Sequence, residues 1–159
     1  MSVPTSAPDV GDLAPDFELS DTHGSPVRLT ELRGGPVMLV FVPAAFTGTC
    51  TGEVCELSEN LAEFDDARVR VLVITCDPTP SQRVWQEQEG LRLDLLSDFW
   101  PHGEVARAYG VFKEDAGVSL RASFLVDAEG VVRERVVNPT TEARGLDWYR
   151  SALGVLGDR

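Results

Sequence analysis

Apolar residues recur along this chain in two alternating rhythms. Val37-Met38-Leu39-Val40-Phe41-Val42 is an unbroken apolar run, the pattern of a central strand covered on both faces. Val69 to Thr75 is a second such segment and ends at Cys76-Asp77-Pro78. Between them Val54, Leu57, Leu61 and Phe64 stand at i, i+3, i+7 and i+10. That spacing predicts one helix after Thr49 whose apolar stripe packs on the sheet. Glu53, Glu56 and Glu59 lie off the stripe and are expected in solvent, with Glu53 close enough to the helix start to bear on a site there.

The flanking chain continues the alternation. Ala14 to Leu19 and Val27 to Leu29 enclose the turn cluster Asp21-Thr22-His23-Gly24-Ser25, which reads as a β-hairpin with a longer loop. Ser81 is placed to N-cap a helix over Gln82 to Glu89, and Gly90 to stop it. Leu95-Leu96-Ser97-Asp98 is a short run before Pro101, and Gly103 to Tyr109 is a helical stretch ending at Gly110. Ser123 to Val126 and Val131 to Val137 read as strands joined through Asp127-Ala128-Glu129-Gly130. Thr140 or Thr141 then opens a final helix bearing Leu146, Tyr149 and Leu153. Strands alternating with helices predict an α/β sheet with helices on both faces, made mixed by the closing hairpin. Residues 1–10 are expected to form a flexible leader and residues 11–159 a single domain.

Composition narrows the setting. A chain of 159 residues is long enough for one domain with a substantial core. The net charge of -12 argues against nucleic acid and against anionic membrane surfaces as partners, since both attract basic patches. No apolar run is long enough for a membrane-spanning helix. Met1 to Pro8 lacks the basic-then-apolar pattern of a signal peptide, so a cytoplasmic location is expected. Three cysteines in that compartment are too few, and odd in number, for a structural disulfide framework. Cys50 and Cys55 also lack the clustered cysteines and histidines of a zinc site.

Catalysis or redox sensing is the better use for such thiols, and one of them is placed for it. Past Val42 the chain turns at Pro43, crosses a short loop and reaches Cys50 where the helix should start. A thiol in a first helical turn sits among backbone N–H groups that lack helical partners, at the positive end of the helix dipole. Reactive cysteines occupy such electropositive surroundings. Thr47, three residues earlier, can set a hydroxyl beside the sulfur, and Cys55 supplies a second thiol on the same predicted helix. Cys76 ends a buried strand, where free cysteine often serves as a small hydrophobe.

Pro43, Thr47 and Cys50 match Pro-x-x-x-Thr-x-x-Cys, and Arg121 stands just before a late strand in Leu120-Arg121-Ala122-Ser123-Phe124-Leu125-Val126-Asp127. In both respects the chain resembles the peroxiredoxins, thiol peroxidases on a thioredoxin-like fold. Leu95 to Gly103, with Ala108 to Phe112 after it, resembles the alkyl hydroperoxide reductase E subgroup, and the likeness runs from about Gly11 to the final helix. Reductase E proteins are usually described as one-cysteine enzymes. The spacing Cys50-x4-Cys55 resembles instead the Q-type (bacterioferritin comigratory) peroxiredoxins, whose resolving cysteine often sits there. The implied fold is a single α/β thioredoxin-like domain, a central mixed β-sheet flanked by helices with an N-terminal β-hairpin.

The resemblance implies that Cys50 thiolate attacks the O–O bond of hydrogen peroxide or an organic hydroperoxide, giving a sulfenic acid. Ionisation alone is worth only about 30-fold, roughly 2 kcal/mol, over a thiol already a few per cent ionised. The rest must come from aligning the peroxide and stabilising charge on the leaving oxygen. Thr47, Arg121 and the backbone N–H groups near Thr49 and Cys50 are the candidates, with Pro43 shielding the sulfur; Phe41 and Phe46 lean toward organic hydroperoxides. If Cys55 resolves the sulfenic acid, the helix must open. Cα atoms five apart on an ideal helix are about 8.6 Å apart, beyond the roughly 7 Å a disulfide spans. Unwinding of about residues 47–56 is therefore expected, eased by Gly52. The implied partners are a thioredoxin-like or glutaredoxin-like reductant and a second copy in a homodimer, with no metal, haem or flavin cofactor. Four alternatives stay open: Cys55 as packing with an external thiol resolving, Cys76 as a back-up resolver, a thioredoxin-like disulfide oxidoreductase, and a redox-sensing interaction protein. The third is weakened by Cys-x4-Cys, and by Arg121-Ala122-Ser123 where thioredoxins carry a proline before the strand.

Overall fold

The computed structural model describes residues 7–139, 142 and 144–157. At its centre runs β3 (Val37–Phe41), buried at every position. Val37, Leu39 and Phe41 join one core, while Met38, Val40 and the following Val42 join another. Successive strand side chains point to opposite faces, so a strand with a core on each side needs an apolar residue at every step. That is the reason for the unbroken run.

The seven-stranded sheet has the order β2-β1-β5-β4-β3-β8-β9. Its strands are β1 (Glu18–Asp21), β2 (Pro26–Arg28), β4 (Arg70–Thr75), β5 (Asp94–Ser97), β8 (Arg121–Val126) and β9 (Val132–Asn138) around β3. β3, β4 and β5 run parallel, and the other pairings are antiparallel, so the sheet is mixed as expected. β6 (Phe112–Lys113) and β7 (Val118–Ser119) form a separate small ribbon. The N-terminal hairpin closes where Asp21 Oδ1 accepts from the His23 and Ser25 N–H groups, at 2.9 and 3.0 Å.

Helices cover both faces. On the Met38 side α1 (Gly48–Glu59) supplies Val54 and Leu57, α2 (Leu61–Asp66) Phe64, α3 (Thr79–Glu89) Trp85, and α5 (Leu146–Gly157) Tyr149 and Ala152. On the other side α4 (Glu104–Ala108) supplies Val105 and Ala106, with Tyr109 beyond its end. Among the described residues no helix is long and apolar enough to cross a membrane.

Local details differ from the pattern. The single helix read through Phe64 breaks at Asn60, whose Nδ2 donates to Glu56 O at 2.8 Å and closes α1. α3 begins at Thr79 with Pro80 in its first turn, where no intrahelical N–H bond is lost, so Ser81 lies inside the helix and is not its cap. Gly90 ends α3 in the left-handed region, at φ 65°, as its sequence position suggests. The short run around Leu95 is a full sheet member, held between β4 and β1. Thr140 and Thr141 lie outside the described residues; the final helix begins at Leu146.

Candidate active site

The carboxyl ends of β3 and β4, together with the start of β8, meet at one edge of the sheet. Past β3 the chain passes through buried Val42 and Pro43, turns at Phe46 with φ 66°, and enters α1. Asp77, just beyond β4, accepts the Ala45 N–H at 2.8 Å. Thr47 is the α1 N-cap: its Oγ1 accepts from Cys50 N at 3.2 Å and donates to Ala44 O at 3.3 Å. Such a cap pairs one of the N–H groups that the first turn leaves without partners. It also fixes the residue that bears the thiol. Cys50 stands third in α1 and is fully buried, although residues 46–49 before it are exposed.

Register brings Arg121 to this thiol. β8 runs antiparallel to β3 with Ala122 opposite Phe41, so Arg121 falls just past the end of β3. Its Nη2 donates to Cys50 Sγ at 3.0 Å and its Nη1 to Glu53 Oε1 at 3.0 Å. Arginine suits this place because its planar fork donates in two directions while keeping its charge.

Glu53 overturns an expectation. It is buried, only 7% exposed, and is not solvated. Its Oε2 accepts from Arg144 N at 2.7 Å and Arg144 Nε at 2.8 Å, and its Oε1 accepts from Arg144 Nη2 beside the Arg121 bond. Arg144 in turn donates through Nη1 to Ala122 O at 2.6 Å and to Ser123 Oγ at 3.0 Å. Burial works against the Glu53 charge, but the hydrogen bonds and charge of Arg144, then the charge of Arg121, outweigh it and hold the carboxyl below its usual range. Among the described residues, two guanidiniums and one carboxylate are thus gathered beside the Cys50 sulfur.

The reading of the chain therefore brought Pro43, Thr47, Cys50 and Arg121 to one edge but missed the Glu53–Arg144 pair. A signal for Glu53 existed. Cys50, Glu53, Val54 and Leu57 stand at i, i+3, i+4 and i+7, so the apolar stripe extended back one turn includes both. Arg144 had none, since its partners Glu53 and Ala122 are 91 and 22 residues away. Phe41 points into the opposite core, its ring 5.4 Å from Tyr109 and 6.0 Å from Phe124, so it does not face the thiol. Phe46 is half exposed, with its ring 6.4 Å from Trp85.

The other two thiols lie in different surroundings. Cys55 Sγ donates to Glu89 Oε1 at 3.7 Å. Burial first, then Glu89 and Glu59, push its thiol above the usual range. Cys76 is buried, and burial, then Asp98 and Asp77, push its thiol up to about 12.

A buried thiol in the first turn of the helix after a central strand, bonded to an arginine of the adjoining antiparallel strand, defines a thiol-based redox enzyme on a thioredoxin-like sheet. Comparison with known proteins makes the class specific. The AhpC/TSA family matches residues 10–135. Alkyl hydroperoxide reductase E of Mycobacterium tuberculosis is 43% identical over 149 residues, covering 93% of this chain and 97% of that protein. Peroxiredoxin Bcp of Escherichia coli is 37% identical over 128 residues, covering 77% and 81%. The crystal structure of peroxidoxin BcpB from Mycobacterium tuberculosis superposes with a TM-score of 0.81 at 31% identity, covering 95% of this chain and 97% of that one. The chain belongs to the AhpC/TSA family, the peroxiredoxins, in the subgroup of reductase E and Bcp-like proteins with Cys-x4-Cys spacing, and it is a thiol-dependent peroxidase.

Proposed function

We propose that Cys50 is the attacking thiol, that Arg121 and Thr47 align the hydroperoxide, that Pro43 helps exclude water, and that Cys55 resolves the product. One observation carries this reading: the 3.0 Å contact from Arg121 Nη2 to a Cys50 sulfur enclosed in the protein. In the first step the thiolate attacks the terminal peroxide oxygen. The S–O bond forms, the O–O bond breaks, and the leaving oxygen takes a proton as alcohol or water. Guanidinium donors aimed at the reacting atoms stabilise the moving charge more strongly in a dry site than in water. The Thr47 hydroxyl gives up a long bond to Ala44 O to meet a peroxide oxygen. Glu53 and Arg144 act through Arg121 as positioning residues.

In the second step Cys55 displaces the sulfenic oxygen as water and closes a Cys50–Cys55 disulfide, which a thioredoxin-like or glutaredoxin-like dithiol reduces by exchange. An open groove of about 490 Å³ along Gly48, Gly52 and Glu56 leaves the first turns of α1 accessible to such a partner. Cys76 is packing, its thiol held protonated. A second reading, a one-cysteine peroxidase resolved by an external thiol, is favoured by the unbroken α1 and by the engagement of Cys55 with Glu89. We also propose a homodimer in the cytoplasm. Phe46, Phe99 and Trp100 are exposed in loops after β3 and β5, and the ends of these parallel strands share one edge, which offers a second copy an aromatic surface.

The test is rapid mixing of reduced protein with a hydroperoxide and a sulfenic-acid trap. The reading predicts an adduct on the Cys50 peptide and loss of peroxide consumption in Cys50→Ser. An adduct on Cys55 or Cys76, or unchanged consumption in that variant, contradicts it.

A further inference from the structure

α3 and the turn that follows it are bonded to α1 at three places with one constant offset. Trp85 Nε1 donates to Thr51 Oγ1 at 3.1 Å, Cys55 Sγ donates to Glu89 Oε1 at 3.7 Å, and Arg92 N donates to Ser58 Oγ at 2.9 Å. Each pair is separated by 34 residues. Two of these bonds fall in the stretch that must unwind before Cys50 and Cys55 can meet, and one of them holds the second thiol itself. Cys55 lies in a small cleft of about 80 Å³ with Ser58, Glu59, Glu89 and Arg92.

We propose that Glu89 is a positioning residue for the second half of the cycle: it docks Cys55 on α3 and so restrains disulfide formation until α1 opens. The proposal rests on Cys55 as the resolving thiol. The step it governs is balanced within the chain. Cys55–SH and Cys50–SOH give the S–S bond, the S–O bond breaks, and the thiol proton leaves with the hydroxide as water. Docking acts twice on this step. It keeps the sulfur away from Cys50, and it favours the protonated thiol, which is not the nucleophile.

The groups facing Cys55 are Glu59 on its own helix, Glu89 on α3, and Arg92 just past α3. Burial and the two carboxylates raise the docked thiol above its usual value, so docking binds the proton more tightly than the open state does. The docked state is therefore favoured below the usual thiol range and loses ground as pH rises through it. Resolution accelerates over the same interval. While Cys55 stays docked, the sulfenic acid persists and is open to an external thiol.

The experiment is a single turnover of wild type and Glu89→Gln with one equivalent of hydroperoxide, read by quenched-flow intact mass. Glu89→Gln is expected to close the disulfide about 3- to 10-fold faster at neutral pH, the effect of weakening one such hydrogen bond, and its rate should begin to rise at lower pH. A second readout uses a Cys50→Ser background, in which Glu89→Gln should speed iodoacetamide labelling of Cys55. Equal disulfide rates, or superimposable labelling profiles against pH, overturn the proposal. Failure of the resolving role itself looks different: wild type forms no internal disulfide and Cys55→Ser changes nothing, while labelling still responds to Glu89. That outcome removes Cys55 from the cycle, and the proposal with it.

Discussion

Cys50 and Cys55 sit five residues apart on one helix, yet one faces guanidinium and the other carboxylate. Five residues turn a helix by about 500°, which leaves two side chains about 140° apart around its axis. That phase turns Cys50 toward the sheet edge, where Arg121 bonds its sulfur and Glu53 and Arg144 complete a buried cluster. It turns Cys55 toward α3, where Glu89 accepts a hydrogen bond from its thiol and Glu59 adds a second carboxylate. The same side chain thus meets a cationic partner at one position and an anionic one at the other. What separates the surroundings of the two cysteines is here the helix phase and the sign of charge that each phase meets.

The largest way to break this contrast is to remove the anion from the Cys50 side. Glu53→Gln leaves two buried guanidiniums without their shared carboxylate, a change expected to cost about 3–5 kcal/mol of stability in denaturant titration. The loss depends on pH with a defined sign. The folded Glu53 carboxyl lies below its usual 4.5, so its contribution is present above that range and fades as pH falls through the lower folded value. The stability gap between wild type and Glu53→Gln should therefore narrow under acid, and a constant gap would contradict the assignment.

Arg121→Met keeps much of the volume and removes the donor to sulfur. Loss of one such oriented donor costs about 10²- to 10³-fold in rate, and stopped-flow peroxide reduction should show a loss of that size with Cys50 still present. Thr47→Ala is expected to be milder, about 1 kcal/mol of stability from the lost cap, together with slower peroxide reduction; a rate equal to wild type would reduce Thr47 to a cap alone. Hydrogen exchange sharpens the contrast from the other side. Residues 47–56 should lose protection on peroxide treatment, and equal protection would exclude unwinding of α1.

Much of this arrangement is legible in the sequence, and the remainder is hidden for identifiable reasons. Val37 to Val42 declares a strand with a core on each face because each successive side chain must be apolar. Pro43, Thr47 and Cys50 lie within eight residues, so local geometry alone brings them together. Arg121 is 71 residues from Cys50 and is recognisable only by its likeness to a family pattern. The burial of Glu53 follows from counting the apolar stripe back through Cys50, yet a carboxylate on that stripe makes sense only once two arginines are known to meet it. Arg144 reaches the site from the loop before α5, where no periodicity marks a buried position. The engagement of Cys55 with Glu89 needs the packing of α3 on α1, which a one-dimensional pattern does not record.

The measurement that tests the division of labour most directly is intact mass after one equivalent of hydroperoxide, on wild type and Cys55→Ser, each with and without a sulfenic-acid trap. The account predicts loss of two hydrogens in wild type and one trappable added oxygen in Cys55→Ser. One trappable oxygen in both proteins would contradict it, leaving Cys50 as the attacking thiol and assigning its resolution to a thiol from outside the chain.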